Sequence, residues 1–213
     1  MENINTIFSN AAIGTKPEIL HTIHLQEKNI AIYQRDITHL RNDLKTCMQT
    51  HVEFRKSGSL ADIQTALESE MGNYKALVAD IVALLQLFGK VAQSQTFKVF
   101  LATVNTNMCR KFHTDINDLR LLCSYAGQGT LWLPEEAINR KALDGLGNNQ
   151  DIVKEEALIQ QVQTGEVCLL KGAIYPKKGT KAVVHRSPTI EEIGEKRLLL
   201  RIDTNEFLVY ENL

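Results

Sequence analysis

From about residue 95 onward the chain breaks into short β-prone runs: Phe97 to Val104, Arg120 to Tyr125, Thr130 to Leu133, Glu166 to Leu170, Ala182 to His185, Lys196 to Asp203 and Phe207 to Tyr210. Gly127, Gly129, Gly165, Gly172, Gly179 and Gly194 stand at the joints. Runs this short and this closely spaced point to strands that pair into a sandwich or jelly roll. A longer stretch, Pro134 to Thr164, is polar and reads as a partly helical insertion. Before residue 95 the apolar residues recur at helical spacing instead. Ile37 to Met48 predicts one helix, Ala61 to Glu68 a second, and Tyr74 to Val91 a third with Leu77, Ile81, Leu84, Leu85 and Phe88 on one face. The exception is Asn29 to Tyr33, a short strand followed by Asp36 as a helix cap. The expected fold is α+β, with a mainly helical N-terminal part (1–94) packed on a jelly-roll core (95–213) as one compact unit.

At 213 residues with 44% apolar content, the chain can bury a substantial core. Its net charge of −1 and the lack of a basic run interleaved with aromatics exclude nucleic-acid binding by charge. The longest apolar segment, Ala76 to Phe88, is interrupted by Asp80 and Gln86, and the N-terminus lacks a basic segment leading into an apolar one. No membrane span and a cytoplasmic location are expected. Cys47, Cys109, Cys123 and Cys168 form no CxxC pair and read as free thiols.

Function must therefore come from a site, and one constellation stands out. His113-Thr114-Asp115 places two side chains on one face of an extended segment, and His185 and Arg197 follow downstream. Two imidazoles and a carboxylate are the ligand set of a 2-His-1-carboxylate iron site, which leaves three octahedral positions open. The same set binds Zn(II), so a zinc protein of metal homeostasis is the alternative to an oxygenase. His-x-Asp alone is a weak signal that a surface strand or cap explains as well. Alternation places Arg197, Leu199, Arg201 and Asp203 on one face of the last strand, opposite Leu198, Leu200 and Ile202. That face is either solvated or turned into the site. Arg120 and Lys171 are further candidate anion partners, Arg186 should point away from His185, and Trp132 and Tyr125 should pack in the core or along the cavity wall. His21, His24, His39 and His51 show no ligand spacing, and P-loop, HExxH, GxSxG and complete dinucleotide-binding motifs are absent.

The stretches Cys109 to Asp115, Arg120 to Leu133, Leu169 to Gly172, Val184 to Pro188 and Arg197 to Asp203 resemble an uncharacterised bacterial family, the domain of unknown function 1826. The order of His113, Asp115, the Gly165-led apolar run, His185 and Arg197 also resembles the Fe(II)- and 2-oxoglutarate-dependent oxygenases, whose core is a double-stranded β-helix. That resemblance implies Fe(II) on His113, Asp115 and His185, and a hydroxylase acting on a small molecule or a protein side chain. It also implies 2-oxoglutarate with its distal carboxylate on Arg197, an arginine fork being suited to bidentate carboxylate binding. The usual Arg-x-Ser is here Arg197-Leu-Leu, which leaves Arg201 as a second candidate for that contact. The Pro134 to Thr164 insertion and the N-terminal helices are the expected substrate-binding material.

Overall fold

A computed structural model describes residues 8–145 and 147–204. Ten strands follow in chain order: β1 (Ala11–Gly14), β2 (Ile30–Tyr33), β3 (Glu53–Ser59), β4 (Thr96–Val104), β5 (Leu119–Ala126), β6 (Leu131–Leu133), β7 (Gln160–Gln161), β8 (Val167–Lys171), β9 (Val184–Arg186) and β10 (Arg197–Thr204). Seven of them make one sheet in the order β1-β2-β8-β5-β10-β4-β3, antiparallel except for β1 against β2, and β7-β6-β9 make a smaller antiparallel sheet. The strand expected over Phe207 to Tyr210 lies outside the described residues.

The central strands β5, β8 and β10 are buried on both faces, which is why they read as nearly unbroken apolar runs. One face carries Val99, Leu101, Leu121, Val167, Leu169, Leu198, Leu200 and Ile202 into the main core. There it meets α1 (Arg41–Gln49), α2 (Leu60–Met71) and α3 (Lys75–Ala92), through residues such as Leu44, Ile63, Ile81, Leu85 and Phe88. The five residues expected on one face of α3 are all buried. Ser59 starts α2 with a capping box closed by Asp62. The other face of the sheet presents Ile30, Ile32, Leu122, Cys168, Leu170 and Leu199 to Trp132, Val162 and Val183 of the smaller sheet and its flanks. Phe8 meets Trp132 edge to face at 5.6 Å.

The N-terminal part is less helical than its periodicity suggests. It supplies β1, β2 and β3, so the large sheet draws strands from both sides of residue 95. The architecture is mixed α+β around that sheet. Short helices α4 (Arg140–Asp144) and α5 (Asn149–Ile152) form the expected insertion. Around them the insertion buries Ala137, Ile138, Ile152 and Val153 against Phe112, Leu133 and Val184.

Candidate metal centre

His113 and His185 are brought together by the backbone. Each donates its N–H to the other's carbonyl at 3.0 Å, an isolated antiparallel pair that continues the smaller sheet beyond β9. Residues paired this way hold their side chains on the same side of the ladder. The two ring centroids accordingly lie 4.7 Å apart. The His113 segment makes only this one bridge instead of a full strand, and it then turns to the large sheet, where the Asp115 carbonyl accepts from Ala173 N–H at 2.8 Å. Behind it, Phe112 is fixed by the insertion: its N–H donates to Asn149 Oδ1 at 2.8 Å, and the Arg186 guanidinium stacks 5.1 Å over its ring. Arg186 thus faces away from the site, as alternation requires.

His113 Nε2 lies 3.6 Å from Asp115 Oδ1, and His185 Nε2 lies 3.3 Å from Asp115 Oδ2. One ligand atom from each of the three falls within 4.8 Å of the others. His113 Nδ1 is 2.8 Å from the Lys111 carbonyl oxygen, which can only accept, so the proton sits on Nδ1 and the Nε2 lone pair is presented. Asp115 Oδ2 is buried and has no aligned hydrogen bond, although Arg120 Nη1 is 2.5 Å away and His185 Nε2 is close. A carboxylate facing two imidazole nitrogens across 3.3 and 3.6 Å offers a cation the mixed nitrogen and oxygen donors that divalent metals take. The donor set fits a divalent metal ion.

The electrostatics agree with that fit. Burial pushes the Asp115 carboxyl up, but His113, His185 and Arg120 outweigh it and hold it well below the usual carboxylate range. The bond to Asp115 in turn pushes His113 up.

The four candidate cations divide into different roles. Arg120 is not available to a co-substrate as the sequence reading had it. Its Nε and Nη2 grip Asp203 at 2.6 and 3.2 Å while Nη1 reaches Asp115, so it braces the carboxylate. Asn117 Nδ2 also donates to Asp203, at 3.3 Å. Lys171 leaves the sheet by the opposite face, the one it shares with Val167 and Leu169. Its Nζ donates to the Leu25 carbonyl at 2.7 Å and lies 4.7 Å over the Tyr175 ring, so strand alternation takes it out of the site. Arg201 faces inward, with Nε 3.2 Å from Asp203 Oδ2 and its guanidinium 5.3 Å from the Phe100 ring, but it remains 34% exposed. Arg197 is 1% exposed. Its Nη2 donates to Ser124 Oγ at 3.0 Å, its Nε has no partner, and no carboxylate among the described residues pairs with it. Burial pushes this guanidinium down to about 10.

The helices expected to bind substrate lie on the far face of the large sheet from this trio. Sequence reasoning missed Ser124 and the part played by Asp203. Alternation had put Asp203 on the Arg197 face, but its partner Arg120 lies 83 residues upstream, beyond the reach of local pattern. Cys109 is an exposed free thiol, the other three cysteines are buried, and none joins the ligand set. His24 bridges Tyr175 Oη and the Val91 carbonyl at 2.7 and 2.9 Å.

Among solved structures, the chain is similar to dioxygenase for auxin oxidation 1 from Arabidopsis thaliana in its binary complex with 2-oxoglutarate. The TM-score is 0.54 at 8% identity, covering 91% of each chain. It is also similar to a candidate oxygenase from Shewanella oneidensis (TM-score 0.50, 9% identity, covering 92% of this chain and 89% of that one). A prolyl-4-hydroxylase from Pseudomonas putida aligns at a TM-score of 0.47 with 8% identity, over 89% of this chain and 99% of that one. At such identities the first two likenesses establish a shared fold. No curated protein matches the sequence. The model of the protein family of unknown function DUF1826 matches residues 14–203, and the chain belongs to that family.

Proposed function

We propose that this chain is a non-haem Fe(II)- and 2-oxoglutarate-dependent oxygenase acting on a small molecule or a protein side chain. One conjunction carries the reading: a His-Asp-His trio is contacted by Arg120, and Arg120 shares one face of β5 with Ser124, whose hydroxyl accepts from Arg197, a deeply buried guanidinium that pairs with no carboxylate among the described residues. A buried cation without a counter-charge is costly. A bound dicarboxylate offsets that cost.

When bound, iron(II) and 2-oxoglutarate supply the oxidising chemistry. The chain supplies placement. His113 offers Nε2, oriented from behind by the Lys111 carbonyl, His185 offers Nε2 on the backbone pair it makes with His113, and Asp115 offers a carboxylate braced by Arg120. Arg197, with the Ser124 hydroxyl beside it, receives the distal carboxylate of the co-substrate. Leu122, Cys168, Leu199 and Trp132 are packed between the sheets and keep water from the interior.

The test is metal analysis of anaerobically purified protein, followed by Fe(II) titration in the presence of 2-oxoglutarate, watching for the visible metal-to-ligand charge-transfer band. The wild type should show the band, and His113→Ala and His185→Ala should abolish it with the metal. Arg197→Gln should keep the metal and weaken 2-oxoglutarate binding at least tenfold. Stoichiometric Zn(II) on the same residues without a band would replace the oxygenase by a zinc protein of metal homeostasis, and absence of bound metal would refute both.

A further inference from the structure

We infer that Asn149, the first residue of α5, is a positioning residue that sets the ring of His113 for metal through the backbone; the inference rests on the oxygenase reading above, which puts a metal on that ring. The need for such a residue follows from the fold. The His185 side chain is 7% exposed and is held by its packing, whereas that of His113 is 32% exposed. The His113 segment also lacks the support of a full strand, since its pairing with His185 is a single isolated bridge. An imidazole so loosely packed takes its tautomer and orientation from hydrogen bonds.

Those bonds run through one peptide unit. The Lys111 carbonyl that accepts from His113 Nδ1 at 2.8 Å and the Phe112 N–H belong to the same rigid plane. Asn149 Oδ1 accepts from that N–H at 2.8 Å, and Asn149 Nδ2 donates to the Arg110 carbonyl at 2.9 Å, so the side chain grips two successive peptide units. Only one orientation of the amide satisfies both contacts, because its flip would set donor against donor and acceptor against acceptor. With one donor and one acceptor, the carboxamide does for residues 110–112 what a neighbouring strand would do. Hydrogen bonds in series polarise one another. The bond at the Phe112 N–H therefore strengthens the acceptor at the other end of the same peptide, the Lys111 carbonyl. His185 is served less closely, its Nδ1 lying 3.5 Å from the Val183 carbonyl oxygen.

Asn149 is itself anchored. Asn148 and Asp151 close a capping box at the start of α5, and Ile152 and Val153 are buried with Leu133 and Val184. Leu133 and Val184 are strand neighbours of Trp132 and His185, so alternation puts the insertion on the outer face of the smaller sheet and the His185 ring on the inner one. The insertion thus reaches His113 from behind, along the backbone.

The experiment reads the His113 tautomer in metal-free protein at alkaline pH, from the long-range proton–nitrogen couplings of the ring, and Co(II) affinity by competition with a chromophoric chelator. The wild type should hold the proton on Nδ1. Asn149→Leu, similar in shape but unable to make either bond, should move the proton largely to Nε2 and raise the Co(II) Kd about tenfold, with the His185 ring signals unchanged. Asn149→Asp keeps the acceptor for Phe112 and should stay nearer the wild type in both readouts, a rescue that a packing role would not produce. An unchanged tautomer or an unchanged Kd in Asn149→Leu would overturn the inference, as would an aspartate variant no better than the leucine one. The wild type separates the two claims. Metal binding and the Fe(II) charge-transfer band alongside a tautomer indifferent to Asn149 defeat this inference alone. A wild type that binds no Co(II) defeats the oxygenase, and a tautomer that still follows Asn149 then leaves a backbone clamp without a metal to serve.

Discussion

Arg120 is the residue on which the His-Asp-His trio leans, since it joins Asp203 on the last described strand to Asp115. Arg120→Gln should leave the fold intact and lower metal affinity about 10- to 100-fold, measured by competition with a chromophoric chelator. An unchanged affinity would show that Asp115 holds its rotamer unaided. The pH dependence follows from the same group of charges. His113 is pushed above the ordinary 6.5 by Asp115, so its contribution to stability is complete below 6.5 and is lost as pH rises through its folded value. Asp115 is depressed, so its contribution is present above 3.8 and is lost only as pH falls through its lower folded value. Metal must displace the His113 proton. Lowering the pH from 8 to 6 should therefore release metal while the metal-free fold gains stability from this pair, which metal content and Tm measured on the same samples would reveal. The trio itself was legible in the sequence, because His-x-Asp is local and the later His stood out. The face taken by Lys171 and the double engagement of Arg120 were not legible, because both depend on which strand lies next to which.

At the scale of elements, Asp80 shows how a polar interruption in an apolar helix can be structural. On α3 it takes both Nη groups of Arg35 at 2.7 and 2.9 Å and accepts from Tyr125 Oη at 2.6 Å, while Arg35 Nε donates to the Gly165 carbonyl at 2.9 Å. Helix α3, strand β5 and the turn before β8 are thereby joined. Asp80→Ala leaves Arg35 buried without its counter-charge and should cost about 3–5 kcal/mol in denaturant unfolding, with metal binding per folded molecule unchanged. A loss below 1 kcal/mol would mean that water reaches Arg35. In the sequence Asp80 only broke an apolar run. The helix α3 and the strands β4, β5, β8 and β10 were legible because each buries a face or two. Strand β3 was missed for the converse reason: it is an edge strand in which Phe54 is the only fully buried side chain, and Arg55 and Lys56 suit an exposed edge.

For the whole molecule, the boundary in texture near residue 95 is no boundary in the large sheet, since β3 from before it is paired along β4 from after it. Composition changed there because the helices cover one face and the smaller sheet the other, and each half of the sequence feeds a different layer. The buried Lys171 ties the first part to the second through the Leu25 carbonyl. Burial lowers this amine from 10.5 to about 8, so the unfolded chain binds more protons than the folded one in that interval. Stability should then gain a rising component between pH 8 and 10.5. Lys171→Met should remove that component, as comparison of denaturation midpoints across the interval would show, and an identical pH slope in both proteins would contradict it. The strand order carries a consequence for how the chain is made. Strand β10 is the last of the ten described strands to emerge, yet it is wedged between β4 and β5, which do not pair with each other. For the several seconds of synthesis separating β5 from β10, both partners wait with an open apolar edge, so a nascent chain stalled short of Arg197 is the form of this protein that chaperones would have to guard.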